Sequence, residues 1–217
     1  MKILIVKYLP GREFSQTALL YNHLLEIIKP ENEIIEIDLE KNPPPYFDYN
    51  ILMAYYRRNY QGKELSADQQ RAIAEMDKNV KMLKKSDILV IVSPMHNFGM
   101  PGLVKLWFDT VIQKGETFNY TPEGKPYGLL QGKKSLVIFT SGGEYSCKQV
   151  SLNYPEWDTY SFHAKIMLNF LGFEEVNVVT ASTGNVYSKD KNLHLAKTRI
   201  TEIANNWKNL TYSFKKL

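Results

Sequence analysis

The chain has 217 residues, 44% of them hydrophobic, enough for one substantial core, and no composition break marks a linker, which predicts a single domain over 1–217. Its formal charge of +4 comes from 27 basic and 23 acidic residues spread along the chain, so the concentrated basic stripe of a nucleic-acid binder is missing and no nucleic-acid partner is expected. Cys147 is the only cysteine, which excludes an internal disulfide and a thiolate metal cluster and fits a reducing compartment.

The opening "MKILIVKYLP" is too short an apolar run for a secretory leader, and no stretch approaches the ~18 apolar residues of a membrane span. A cytoplasmic protein with no membrane partner is expected. Five short runs rich in Val and Ile read as strands: Lys2–Tyr8, Glu33–Leu39, Asp87–Ser93, Ser135–Ser141 and Val176–Ser182. The first, third and fourth are nearly continuous apolar runs, as central parallel strands covered on both faces should be.

Helical spacing fills the gaps. Leu20, Leu24, Ile27 and Ile28 form one stripe, and Ile73, Met76, Val80 and Leu83 form another behind the capping box at Ser66–Gln69. Ala196, Ile200, Ile203 and Trp207 form a third near the C-terminus. In "LVKLWFDTVI", Leu103 and Trp107 lie on one helix face and Val104, Phe108 and Val111 on another. One of these faces should cover the sheet, and the other is expected to meet a second subunit. Alternating strands and helices predict an α/β, three-layer, doubly wound parallel five-stranded sheet of flavodoxin-like order 2-1-3-4-5. Two inserts interrupt the rhythm: the tyrosine-rich Lys41–Lys63, expected either to wall a pocket or to pack a dimer, and the turn-rich Gly115–Lys134.

In an open α/β sheet ligands bind beyond the carboxyl ends of the strands at the switch point, so the loops after the first, third and fourth strands belong together. Ser15, Gln16 and Thr17 open the first helix, where free N–H groups, two hydroxyls and the dipole suit a phosphate, although Ser15 would serve equally as a plain helix cap. No G-x-G-x-x-G follows the first strand and no P-loop occurs anywhere, which leaves a mononucleotide. "SPMHNFGMP" at Ser93–Pro101 offers turn-forming Pro94 and Gly99, a donor and acceptor on Asn97, and apolar or aromatic surface on Met95, His96 and Phe98, as a planar heteroaromatic ring would need. "TSGG" at Thr140–Gly143 adds N–H groups at close approach. Each loop alone could be an ordinary βα turn. His23, His96, His163 and His194 lack paired ligand spacing, so no metal is expected. No Ser, Cys or acid completes a triad with His96.

These three motifs, in this order, resemble the FMN-dependent NADH-azoreductases, which belong to the flavodoxin-like NAD(P)H:quinone oxidoreductases. "LWFD" at Leu106–Asp109, "GETFNYT" at Gly115–Thr121 and "FLGF" at Phe170–Phe173 are similar to further landmarks, so the resemblance spans nearly the whole chain. It implies that Ser15, Gln16 and Thr17 hold the FMN phosphate and that Met95, His96, Asn97 and Phe98 lie along the isoalloxazine. Ser141, Gly142 and Gly143 would meet its pyrimidine side and ribityl chain. Phe118, Tyr120 and Phe170 would frame the substrate pocket across a homodimer interface.

The same resemblance implies two-electron ping-pong chemistry, in which NADH or NADPH passes a hydride to FMN and a quinone or azo compound then takes the electrons. The flavin carries that chemistry and no protein group acts as nucleophile, with His96 at most an auxiliary. The alternative is a flavin-binding electron carrier or regulatory module without NAD(P)H turnover. The chain departs from the pattern in three places: Tyr8, Leu9 and Pro10 stand where serines are usual, His96 where tyrosine is commoner, and no arginine separates Ser141 from Gly142.

Overall fold

The computed structural model describes residues 1–145 and 157–214, with side chains to 207; Cys147 lies outside the described residues. Five strands form the central sheet: β1 (Lys2–Lys7), β2 (Glu33–Asp38), β3 (Ile88–Val92), β6 (Lys134–Ser141) and β7 (Glu175–Ser182). A small antiparallel hairpin of β4 (Phe118–Tyr120) and β5 (Pro126–Gly128) stands apart from it. The sheet runs β2-β1-β3-β6-β7, and every pair in it is parallel. This is the doubly wound order expected from the sequence, with the reversal between β1 and β3.

The apolar runs are continuous because both faces of the sheet are covered. Along β1, Leu4 and Val6 enter one core cluster while Ile3 and Ile5 enter the other. β3 and β6 split the same way, with Leu89, Ile91, Val137 and Phe139 on the first face and Val90, Val92, Leu136 and Ile138 on the second. At roughly 1.5–3 kcal/mol for each such side chain removed from water, these three strands hold the centre of the molecule.

Helices α1 (Gln16–Ile28) and α6 (Lys189–Phe214) cover one face. Helices α3 (Ala67–Lys85), α4 (Gly102–Val111) and α5 (Thr159–Leu171) cover the other. The expected capping box starts α3: the Ser66 hydroxyl accepts from the Gln69 N–H, and the Gln69 side chain accepts from the Ser66 N–H. α5 stops at Gly172, whose φ of 93° suits a residue without a Cβ. There the chain passes so close to Gly128 that a Cβ on Gly128 would lie 2.1 Å from the Leu171 carbonyl carbon.

The tyrosine-rich insert contains a further helix, α2 (Tyr49–Asn59). Arg58 anchors it through both guanidinium nitrogens to Asp77 of α3, at 2.7 and 2.8 Å, and through a third bond of 2.9 Å to Gln113. The Tyr55 hydroxyl accepts the Lys114 N–H at 3.1 Å, and burial pushes this phenol up in pKa. Tyr49, Leu52, Met53 and Tyr56 remain exposed on the outer side.

The expectation that one face of α4 needs a second subunit is not met. Trp107, Val104, Phe108 and Val111 are all fully buried within the chain, and of the five residues on those two faces only Leu103 is partly exposed. The physical reason is packing within the chain, since these side chains belong to the core cluster that β1, β3, β6, α3 and α5 also feed; Asn42, Pro43 and Pro44 of the insert line one cavity with Trp107 and with Asn79 and Met82 of α3. Among the described residues, no helix is long and apolar enough to cross a membrane.

Candidate functional site

β1, β3 and β6 run parallel and in register, Lys7 pairing with Val92 and Val92 with Ile138, with β6 continuing to Ser141. The three loops that follow therefore leave the sheet along one edge. The first loop makes a 3-10 turn at Arg12–Phe14, in which the Phe14 N–H reaches the Gly11 carbonyl at 2.9 Å and the Ser15 N–H reaches the Arg12 carbonyl at 3.1 Å. Arg12 adopts a φ of 46°, an uncommon conformation for a residue with a Cβ.

Ser15 then caps α1 by accepting the Ala18 N–H at 3.2 Å. The N–H groups of Gln16 and Thr17 have no partner inside the helix and lie at its positive end. Gln16 Oε1 is buried with no hydrogen-bond partner, while its Nε2 meets the Phe14 carbonyl only at 3.5 Å. Thr17 is fully buried, and its hydroxyl lies 2.6 Å from that of Thr140. Its side chain thus joins two loops, and its N–H is what remains for a ligand.

The second loop is a two-residue hairpin. His96 and Gly99 exchange both N–H···O bonds at 3.0 Å, while Asn97 and Phe98 between them have φ of 45° and 69°. Two consecutive positive φ angles are the signature of a type I′ turn, which favours Asn at its first central position but penalises Phe at its second. The closing bonds use the N–H groups of His96 and Gly99, so those of Asn97 and Phe98 face out of the turn.

Three contacts hold this strained turn in place. The Met95 N–H donates to the Thr140 carbonyl at 2.8 Å, the Thr159 hydroxyl donates to the Phe98 carbonyl at 2.6 Å, and the Tyr8 ring meets His96 edge-on with centroids 5.8 Å apart. Beneath it, the Ser93 and Tyr160 hydroxyls lie 2.5 Å apart, with Tyr160 stacked 4.6 Å from Phe139. Full burial raises the Tyr160 phenol pKa against the opposing pull of its bond to Ser93.

The third loop folds back on itself, with the Ser141 hydroxyl donating to the Gly143 carbonyl at 2.7 Å. It is also tied to the loop after β7, since Thr183 and Gly184 N–H groups donate to the carbonyls of Ser141 and Gly142. A Cβ on Gly142 would meet nothing within 4 Å, whereas one on Gly143 would strike the Tyr145 ring at 2.5 Å. Tyr145 in turn packs on Phe98 and Trp157, and Phe98 lies 4.7 Å from Trp157.

The structure thus gathers Ser15, Gln16 and Thr17, the Met95–Phe98 turn and Ser141–Gly143 at the ends of three adjacent strands. It places Phe118, Tyr120 and Phe170 elsewhere. Phe118 touches Tyr120 and Phe170, with centroids at 5.6 and 4.8 Å, at the far end of α5. With Thr159 opening that helix beside Phe98, a rise of 1.5 Å per residue separates the two groups by roughly 16 Å along its axis. Sequence reasoning missed Thr140 and Thr159 as the groups that tie the loops together, and Tyr145 and Trp157 as the partners of Phe98. Thr140 sat inside a quoted motif, but no spacing rule links Thr159 to a turn so distant in sequence.

A parallel sheet with both faces covered and its strand order reversing between β1 and β3 defines a doubly wound α/β protein, the class in which ligands bind at the carboxyl edge. The model of the flavodoxin-like fold family matches residues 1–204, and the chain belongs to that family. It is 34% identical over 187 residues to an FMN-dependent NADH:quinone oxidoreductase of Hydrogenovibrio crunogenus, covering 85% of this chain and 86% of that one. It is 33% identical over 205 residues to the protein of the same description in Shewanella loihica, covering 93% and 98%. Among solved structures it resembles an FMN-dependent NADH-azoreductase of Bacillus anthracis in complex with FMN, at 29% identity and a TM-score of 0.84, covering 95% of this chain and 99% of that one.

Proposed function

We propose that this protein is an FMN-dependent NADH:quinone oxidoreductase and azoreductase, with residues 1–217 forming one FMN-binding domain that works in the cytoplasm. The observation that carries the reading is the convergence of the three family motifs on one sheet edge, in a chain alike along nearly its whole length to relatives of that description. Residues of this structure fit a flavin mononucleotide on independent grounds. The first turn of α1 offers unpaired N–H groups, and Gln16 carries a buried amide oxygen without a partner, which a flip of the amide would turn into a buried donor. The open space over Gly142 lets the backbone approach a ring edge.

When bound, FMN supplies two-electron chemistry between a nicotinamide donor, NADH or NADPH, and a quinone or azo acceptor. The protein's part is binding and electrostatics. Gln16 and Thr17 N–H groups hold the phosphate, and the strained Asn97–Phe98 turn presents its free N–H groups and the Phe98 ring to the isoalloxazine. Those donors, with the N–H groups of Gly142 and Gly143, stabilise negative charge on the ring without rearrangement. Met95 and His96 flank the same surface, and Ser141 fixes the shape of the loop that meets the ribityl chain.

The active protein is a homodimer in this reading. The support lies on α5 rather than α4: Phe162 and Ile166, one turn apart, are 69% and 49% exposed, and Phe170 continues the stripe. Phe118, Tyr120 and Phe170 sit too far along α5 to wall their own flavin, so they border the substrate pocket of the partner. Anaerobic addition of NADH to the purified yellow protein tests the function: bleaching of the flavin band supports it, and a colourless chain that FMN cannot reconstitute overturns it.

A further inference from the structure

The loop between β1 and α1 holds one cation, and the neutral side chains beside it can add hydrogen bonds but no positive charge. Ser15 Oγ accepts the Ala18 N–H, Thr17 Oγ1 is bonded to Thr140, and Leu9, Pro10 and Gly11 carry no side-chain donor. Lys7, at the end of β1, spends its ammonium on Glu36 at 2.8 Å and Tyr21 at 3.3 Å. A phosphate monoester at the start of α1 brings nearly two negative charges, and helix N–H groups alone offset only about half of one.

Arg12 is placed to supply the difference. Its carbonyl accepts the N–H of the capping Ser15, which sets it against the first turn, and its left-handed backbone is fixed by its own N–H bond to the Leu9 carbonyl at 3.1 Å. The guanidinium touches one carboxylate, Glu40 just beyond β2, through a single 3.1 Å contact, with the Arg12 side chain 74% exposed. So exposed a pair contributes little on its own, and a phosphate, which accepts from an arginine through two oxygens at once, competes well against it.

We propose that Arg12 neutralises the FMN phosphate and that Glu40 competes for it, so that this ion pair sets how tightly the chain retains its cofactor. The inference rests on the flavin reading above. Titrations of the flavin-free protein with FMN and with riboflavin, which lacks the phosphate, separate the two. Arg12→Gly suits a φ of 46° and keeps the fold; it should weaken FMN roughly tenfold while leaving riboflavin unchanged. Arg12→Lys should recover most of that loss, and Glu40→Gln should tighten FMN about threefold in the wild-type background but not in Arg12→Gly.

Unaltered FMN binding by Arg12→Gly, or an equal loss for riboflavin, overturns the inference. So does an effect confined to the KM for NADPH relative to NADH, since the guanidinium would then serve the donor's phosphate. A wild-type chain that binds neither flavin overturns the functional reading together with this one, whereas tight FMN binding by both proteins overturns this one alone.

Discussion

The hydroxyls of Thr17 and Thr140 meet at 2.6 Å in the interior, 123 positions apart in sequence, and join the helix that opens beyond β1 to the end of β6. Removing one partner strands the other away from water, which costs more than losing the bond itself. Thr17→Val should lower stability by about 1–3 kcal/mol, and Thr17→Val with Thr140→Val should recover part of it. Urea unfolding of the single and double variants measures the coupling; equal and additive losses would show that the two hydroxyls do not interact.

Phe98 pays a backbone cost where it sits, about 1–3 kcal/mol for a bulky residue in the left-handed region. Phe98→Gly should relieve that strain and melt no lower than the wild type, while retaining flavin less well because the exposed ring is gone. Thermal melting of the flavin-free protein, paired with an FMN titration, reads the two effects separately. A variant that melts lower and binds flavin normally would mean the ring is there for packing alone.

Gly128 and Gly102 are both glycines, and the structure predicts opposite outcomes for them. A methyl group on Gly128 would drive into the backbone of Leu171 and Gly172, whereas one on Gly102 would meet nothing within 4 Å at the start of α4. Gly128→Ala should express poorly or melt far below the wild type. Gly102→Ala should be neutral or gain up to about 1 kcal/mol, as differential scanning calorimetry would show.

Glu36 provides a pH test. Partial burial alone would raise its pKa, but hydrogen bonds from Lys7 and from Tyr21, at 2.8 and 2.5 Å, outweigh this and hold it below the usual glutamate value. A depressed folded-state pKa means the unfolded chain takes up the proton first on acidification, so the contribution of Glu36 is whole above the unfolded value near 4.5 and disappears as pH falls through the folded one. Glu36→Gln should therefore melt below the wild type at pH 7, with the gap narrowing as the pH is taken down below the unfolded value. A gap that stays constant across that range would remove charge from the explanation.

For the proposed dimer, sedimentation should give about twice the 25.1 kDa chain mass. Ile166→Asp should yield the single chain, keep FMN and lose most quinone turnover, because the pocket walls come from the neighbouring copy. Monomeric wild-type protein with full activity would defeat this arrangement.

The five strands of the central sheet were legible to within a residue because parallel strands in a covered sheet are written as β-branched apolar runs, as "ILVIV" in β3 shows, whereas the short β4–β5 hairpin was not. That the loops after β1, β3 and β6 share one sheet edge was legible because they lie next to such runs. α2 was not, since it buries only Ile51 and Ala54 and is held by Arg58 reaching across to α3, a contact that leaves no periodic trace. Trp107 was misread for a related reason: a local helix pattern shows that a face is apolar, not which distant elements of the same chain bury it. Thr17 was assigned to a ligand by its hydroxyl, its place at the helix start and its motif, and that hydroxyl proves to be bonded to Thr140, a residue that only the folded sheet brings near.

The strand order β2-β1-β3-β6-β7 carries a consequence for how the molecule comes into being. A chain emerging from the ribosome has its β1–α1 loop early, but that loop's neighbours follow β3 and β6, so the proposed flavin site is incomplete until the polypeptide has grown past Gly143. Colour is then a late marker of biosynthesis, and the first yellow nascent chains mark the length at which the sheet has closed around its centre.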